Sequence, residues 1–399
     1  MSNRKCDIAI IGGGLAGGLI ALALRAHRPD VKVLVIEAGA APGGNHRWSW
    51  FESDLPKGGA ALLDTIQKTG WNAGYEVIFP GHSRVLKTPY RSIASADFAA
   101  ALDRELPPGT IVTGSTVERL ASESADLADG SRVAARAVID CRGSAGSRHL
   151  TGGWQVFLGR HMRLASAHGL TRPVIMDATV DQLGGYRFVY VLPLGPNDVF
   201  LEDTYYQDTP SLDRAALSRR LDEYAHAHYW DGDVVAEETG VLPVITGGDF
   251  AAFQAEHRVP GVARAGARGG FVHPLTSYTL PFAVEVALLV ARNADLAGEK
   301  LADLLEKHAT AHWRRTRLYR MLGAMLMGAA APHQRYRVFQ RFYGLSEPLI
   351  ERFYAARSTS ADAIRILAGK PPVPVGKAIV SLAGAQPPLL DKQSKEALS

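Results

Sequence analysis

The sequence predicts an α/β protein: a parallel-sheet domain entered through a βαβ unit, interrupted by an antiparallel sheet and followed by a helical C-terminal region. Three observations predict it. The first 37 residues run strand, glycine turn, helix, strand. Two aromatic runs at 186–203 flank a Pro/Gly/Asn-rich turn. From about residue 300 the apolar residues take helical spacing.

Cys6-Asp7-Ile8-Ala9-Ile10-Ile11 is a short apolar run of strand type. Gly12-Gly13-Gly14-Leu15-Ala16-Gly17 then supplies G-x-G-x-x-G at the turn into a helix carrying Leu19, Ala21, Leu22 and Leu24. A second apolar run, Val31 to Ile36, ends at Glu37. Gly12 permits the tight turn, Gly14 lets backbone approach a pyrophosphate, and Gly17 lets helix and strand pack closely. The helix N-terminus offers free N–H groups to phosphates, and Glu37 can accept a ribose hydroxyl. Together these parts predict a Rossmann-type domain binding an adenine dinucleotide.

One βαβ unit cannot cover a parallel sheet, so the domain must return later in the chain. Arg132 to Cys141, followed by the turn Arg142-Gly143-Ser144, is one such strand; Gly261 to Gly266 is another, leading through Gly269-Gly270 into a helix that starts near Thr279. Between them, Tyr186 to Leu192 and Val199 to Asp203 form an antiparallel hairpin. The expected division is a discontinuous nucleotide domain (1–75, 95–150, 258–300) and a substrate-binding sheet domain (76–94, 151–257). A helical region (301–385) and a disordered tail (386–399) follow. In the helical region Leu318, Met321, Leu322, Met325 and Leu326 make one apolar stripe; Ala331-Pro332 ends that helix, Ser346 starts the next, and Lys370 to Pro374 is a stiff linker.

The totals are those of an ordinary globular protein: 399 residues, 47% hydrophobic, 21% charged, net charge +4. That balance argues against nucleic acid as a partner. No run of 18 apolar residues exists to span a bilayer, and the first apolar segment is needed as a strand, not a signal peptide. Cys6 and Cys141 both fall in predicted strands, suiting a reducing, cytoplasmic compartment. Residues 312–377 hold ten Arg and two Lys against three acids, a local excess of +9. Such basic helices suit peripheral contact with an anionic membrane at its inner face, or else a helical cap with a solvated side. No metal is expected: His226 and His228 face apart on a helix.

After Glu37 the chain does not continue the alternation of a nicotinamide dehydrogenase. It runs instead into Gly43-Gly44-Asn45-His46-Arg47-Trp48-Ser49-Trp50. A second glycine-rich approach, Gly266 to Pro281 with Gly269, Thr276 and Tyr278, provides another site for a long ligand. Two separated sites favour FAD.

These segments, with Leu86-Lys87-Thr88-Pro89-Tyr90, Phe200-Leu201-Glu202-Asp203-Thr204, Glu237 to Pro243, His273 to Pro281 and Arg335 to Leu367, resemble the flavoprotein carotenoid cyclase family of bacterial-type lycopene β-cyclases over roughly residues 5–380. The resemblance implies a p-hydroxybenzoate-hydroxylase-like fold and closure of β-ionone rings on lycopene and related carotenoids without net redox change. It also implies reduced FAD, NADPH or NADH as reductant, and contact with other carotenoid enzymes. Two departures stand out. Thr276-Ser277-Tyr278-Thr279 replaces the family's Thr-Gly-Tyr-Ser, putting a serine where a positive φ costs about 1 kcal/mol, and Ala267 stands where related flavoproteins carry an acid.

Ring closure needs an acid to protonate an alkene, a stabiliser for the carbocation and a base. On the resemblance Glu202 is the acid, which requires an apolar pocket to keep it protonated. Asp203 projects to the other strand face with Leu201 and Tyr205 and is held as an orienter or base; Phe200, Thr204 and Tyr206 share the Glu202 face. Trp48, Trp50, Phe200 and Tyr206 are read as substrate lining. A reduced, anionic flavin near 4 Å would offer a cation about 4 kcal/mol, against about 0.5–2 from an aromatic face. Rival readings are a redox flavoenzyme on an isoprenoid, which would consume nicotinamide stoichiometrically, and an isoprenoid-binding protein without flavin.

Overall fold

A computed structural model of the chain describes residues 3–143, 146–368, 375–384 and 386–390. Ser144 of the predicted turn, the predicted linker 370–374 and residues 391–399 lie outside the described residues.

The chain opens with β1 (Asn3–Ile11), α1 (Leu15–His27) and β2 (Val33–Ile36). There follow β3 (Arg47–Phe51), α2 (Gly59–Leu63), β4 (Thr69–Trp71), β5 (Tyr75–Phe79), β6 (His82–Leu86), β7 (Tyr90–Ala94) and α3 (Ser95–Glu105). Next come β8 (Ile111–Val112), β9 (Val117–Ala121), β10 (Ser124–Leu127) and β11 (Arg132–Asp140). The middle of the chain forms β12 (Ser147–Leu164), β13 (Val174–Asp177), β14 (Tyr186–Pro193), β15 (Asp198–Gln207), α4 (Arg214–Ala227), β16 (Gly232–Gly248) and α5 (Phe250–Glu256). After β17 (Val262–Arg264) come α6 (Leu280–Arg292), α7 (Gly298–Arg315), α8 (Arg317–Ala329), α9 (Tyr336–Phe342), α10 (Glu347–Tyr354), α11 (Ser360–Leu367), α12 (Val375–Ala383) and β18 (Pro388–Leu389).

The first sheet runs β8-β2-β1-β11-β10-β9, with β8, β2, β1 and β11 parallel. The outer edge of β11 is divided: its start pairs with β10 and its end with β17, so residues 132–140 and 262–264 return to the sheet as expected. Strand β1 is covered on both faces. Ile8 and Ile10 join the main core and Ala9 and Ile11 a second cluster, which is why the run is apolar throughout instead of alternating.

The second sheet runs β16-β12-β15-β14-β13-β5-β6, with β18 pairing with β12. It has two different faces. Leu158, Val189, Val191, Leu201 and Tyr205 pack under Leu217, Leu221 and Tyr224 of α4. Tyr190, Leu192 and Phe200 face the other way, into the main core. β7 belongs to a small third sheet with β3 and β4, and Pro388–Leu389 pair with β12 although disorder is expected from 386.

The C-terminal helices pack against the second sheet. Phe339 of α9 stacks on Tyr186 with ring centroids 4.4 Å apart. The buried face of α8 is turned from the predicted stripe: Tyr319, Gly323, Ala324, Leu326 and Met327 point inward while Leu318, Met321, Leu322 and Met325 are half-buried. Gly323 lies on the buried face, where a Cβ would make only ordinary contact with Thr246 Cγ2 at 3.4 Å, so the helix packs closely on β16 there. Part of the basic excess is structural. Arg335 is buried and donates to the Tyr206 and Met327 carbonyls and to Asp208, Arg320 lies 3.6 Å over Trp313, and Arg352 pairs with Asp362. Arg314, Arg317, Arg337 and Arg365 are exposed.

Candidate active site

The glycine turn between β1 and α1 is forced by contact. Gly12 has φ +101°, and a Cβ there would lie 3.0 Å from the Cys141 carbonyl group. A Cβ on Gly17 would stand 2.0 Å from the Gly12 carbonyl oxygen. Gly14 differs: a Cβ there would meet nothing within 4 Å, so only a ligand could require its bareness. The start of α1 carries neither a side-chain cap nor an acid in its first turn, leaving its N–H groups for an anion. Glu37 closes the turn, accepting the Gly13 and Gly39 N–H groups at 2.6 Å each. Each carboxylate oxygen keeps a second lone pair for a hydroxyl. Gly43 and Gly44 both have positive φ and run beside the turn, Gly43 N–H donating to Gly13 O at 2.9 Å.

The second glycine-rich segment meets the first. A Cβ on Gly266 (φ +59°) would lie 2.8 Å from the Ala16 methyl. Thr276 Oγ1 is buried with no partner among the described residues. Ser277 takes φ +58°, the left-handed conformation expected to be costly for serine, and its hydroxyl donates to Pro243 O at 2.9 Å. Tyr278 and Tyr90 share a hydroxyl–hydroxyl bond of 3.0 Å.

One cavity of about 490 Å³ joins these pieces to the second sheet. Gly12, Gly14, Leu15, Ala16, Glu37, Gly43, Gly44, Gly266, Thr276 and Tyr278 line one part; Trp48, Phe157, Tyr190, Leu192, Phe200 and Glu202 line the other. An open helix start, bare Gly14 and the unpartnered Thr276 hydroxyl fit a long dinucleotide. Gly13, Gly17 and Gly269 shape the walls without lining the space; a Cβ on Gly269 would meet Arg264 O at 2.8 Å.

Glu202 lines this cavity, and Thr204 Oγ1 donates to it at 2.7 Å. Burial, followed by the like charge of Glu238, pushes its carboxyl up to about 8. A carboxyl that still carries its proton at neutral pH is therefore available in the cavity.

Asp203 is not at the site. It points to the α4 face, fully buried, where Arg187 Nε and the Tyr205 hydroxyl each donate to it at 2.8 Å. A buried carboxylate spent on a guanidinium cannot serve as base for a ligand on the other side of the sheet. Trp50 and Tyr206 do not line the cavity either. Trp50 is core, and Tyr206 packs among Tyr186, Phe188 and Phe339, because the strand carries it four residues past Glu202, the last residue of β15 lining the cavity.

Sequence reasoning assigned no role to Arg47, Tyr90, Gln155, Phe157, Tyr190 or Leu242, all of which line the cavity. Tyr190 was within reach: the hairpin register pairs it with Glu202. The others come from β3, β7, β12 and β16, whose neighbours no local pattern gives.

Residues 7–380 match the profile of the family described as lycopene cyclase protein. A lycopene beta-cyclase of Pseudescherichia vulneris is 46% identical over 373 residues, 93% of this chain and 96% of that protein. Among solved structures, a geranylgeranyl bacteriochlorophyll reductase-like protein of Thermoplasma acidophilum superposes with a TM-score of 0.60 at 13% identity, covering 96% of this chain and 99% of that one. The flavin-dependent brominase Bmp2 gives 0.59 at 16% identity, covering 88% and 94%. At that identity these two establish the fold alone, while the near-complete profile match and the close relative show that the chain belongs to the lycopene cyclase family.

Proposed function

We propose that this protein is a lycopene β-cyclase, closing β-ionone rings on lycopene by way of γ-carotene, with no net redox change. The observation that carries the reading is the single cavity running from the glycine turn to Glu202. FAD is the dinucleotide that it suits, held by the α1 start, Glu37, Gly266 and Thr276, and NADPH or NADH is its reductant. When bound in reduced form, the flavin supplies electron density that stabilises positive charge.

The remaining chemistry belongs to the chain. Protonated Glu202 gives its proton to the terminal trisubstituted alkene, leaving a tertiary cation. The neighbouring alkene attacks it, a carbon–carbon bond closes the ring, and loss of a ring proton restores neutrality. Glu37 and Glu202 are the carboxylates lining the cavity, and Glu37 sits at the dinucleotide end. Glu202, ionised by the first step, is thus the base supported by the geometry, and the proton balance is zero. Phe157, Leu192, Phe200 and Leu242 keep water from the cation.

The substrate is a hydrocarbon delivered from a bilayer, and peripheral docking at the inner face of the cell membrane accords with the C-terminal surface. Ile364 and Val380 are each 69% exposed on α11 and α12, Leu367 and Leu382 lie beside them in sequence, and Arg365 and Lys377 are exposed on the same helices. No helix among the described residues is long and apolar enough to cross a membrane. Binding to anionic vesicles should weaken in an Ile364→Asp/Val380→Asp variant and in high salt.

Anaerobic incubation with lycopene, FAD and a reductant, followed by pigment chromatography, tests the activity. The expected product is β-carotene with catalytic flavin. One nicotinamide consumed per product, or no ring closure, would sink it.

A further inference from the structure

Glu202 belongs to a row that the register carries across four strands. Tyr190 on β14 pairs with Glu202 on β15, Glu202 with Gly159 on β12, and Gly159 with Glu238 on β16. Residues paired across strands share a face, so both glutamates lie on the cavity side with a glycine between them. Two strand spacings separate them, about 10 Å between Cα atoms. A Cβ on Gly159 would lie 2.4 Å from Phe200 Cζ and 3.1 Å from Glu238 Cγ, so the ring and the Glu238 stem fill the place a side chain would take.

Arg47 ties the row together. Its backbone N–H donates to Glu238 Oε1 at 3.2 Å, and its guanidinium lies 5.1 Å over the Phe200 ring. Its Nη1 donates to Ser92 Oγ at 3.3 Å while its Nε is buried without a partner among the described residues. Burial weakens the guanidinium's hold on its proton, and the charges of Glu238, Asp97 and Glu202 oppose that loss. One buried cation can offset one negative charge cheaply but not two.

We propose that Glu202 and Glu238 work as a carboxyl pair holding one proton and one negative charge, with Glu238 a positioning residue that keeps the proton on Glu202. Burial pushes both carboxyls up, and Glu238, which accepts the Arg47 N–H while Glu202 accepts only the Thr204 hydroxyl among the described residues, is the better placed of the two to hold the negative charge. Its charge then resists ionisation of Glu202. The other groups facing Glu202 are Thr204, which donates to it, the hydroxyls of Tyr90 and Tyr190, and Asp203 from behind the sheet. Glu238 acts through Glu202, and what the retained proton is for rests on the cyclase reading.

The test is infrared measurement of the protonated carboxylic acid band against pH in the purified protein and its Glu202→Gln, Glu238→Gln and Glu238→Asp variants, beside the pH profile of ring closure. Asp54, which burial also raises to about 8, contributes to the band in every variant, so the Glu202 component is the part that the wild type shows at neutral pH and Glu202→Gln lacks. Glu238→Gln should lose it at about tenfold higher proton concentration than wild type, the effect of a like charge about 10 Å away at an effective dielectric near 20. The alkaline limb of activity should move with it, and Glu238→Asp should restore most of the shift. A Glu202 component that does not move in Glu238→Gln, read against the Glu202→Gln/Glu238→Gln double variant, or the absence of any difference between wild type and Glu202→Gln at neutral pH, overturns the pair. A band that behaves as expected in a protein that closes no rings leaves the pair standing and removes the cyclase reading.

Discussion

Glu202→Gln keeps the shape of the side chain and removes its acid, and its consequences can be worked from burial. With its carboxyl raised from 4.5 to about 8, wild type holds the proton about nine times in ten at pH 7. A carboxyl left at 4.5 would hold it about 0.3% of the time, so the fold enriches the working acid roughly 300-fold. The same shift has a stability cost with a definite sign. The folded value lies above the unfolded one, so the native state binds the extra proton between about pH 4.5 and 8. The stabilisation is complete below the unfolded value and is lost as pH rises to the folded one, by about 1.4 kcal/mol per pH unit and about 5 kcal/mol in all. Glutamine has no such slope. Asp54, which burial raises to about 8, and Glu238 titrate in both proteins and largely cancel. Denaturant unfolding should therefore show the variant gaining about 3 kcal/mol on wild type between pH 5 and 7, and the two curves should run parallel above about pH 8. Chromatography should show no ring closure by the variant, and wild-type activity falling about tenfold per pH unit beyond 8. Parallel curves from pH 5 to 8, or substantial cyclisation by the variant, would refute the assignment.

Gly14→Ala should leave the cofactor-free protein within about 0.5 kcal/mol of wild type yet lose flavin, because its Cβ meets open space. Gly17→Ala should cost the fold itself about 1–3 kcal/mol, because its Cβ would strike the Gly12 carbonyl; thermal unfolding and flavin absorbance separate the two. Ser277→Gly should be more stable than Ser277→Ala by about 1 kcal/mol, since both lose the bond to Pro243 O but only glycine relieves the positive φ. Arg335→Ala should lose about 2–4 kcal/mol in a denaturant titration, because the buried Tyr206 and Met327 carbonyls lose their donor while the exposed Asp208 is resolvated.

Local order was legible in the chain itself. The β1–α1–β2 unit could be read because its glycine spacing, strand, helix and terminal acid all lie within 37 residues, and a strand buried on both faces must be apolar throughout. The hairpin at 186–203 could be read because two aromatic runs flank a Pro/Gly/Asn turn, and the two-residue alternation of a strand placed Glu202 and Asp203 on opposite faces. Ser277 was legible as a departure whose strained φ the structure contains. What the tertiary structure decided are the neighbours that no spacing encodes. The register of β12 against β15 and β16 puts Glu238 in line with Glu202 across a bare glycine. The packing of α4 turns Asp203 into a salt bridge with Arg187. The packing of α8 on β16 decides which side of that helix is buried, with Tyr319, Gly323 and Leu326 turned inward. Sequence patterns carry the periodicity of an element and so the side it can bury; which partner covers that side, and therefore how a carboxyl holds its proton, is settled only when distant strands close the space around it.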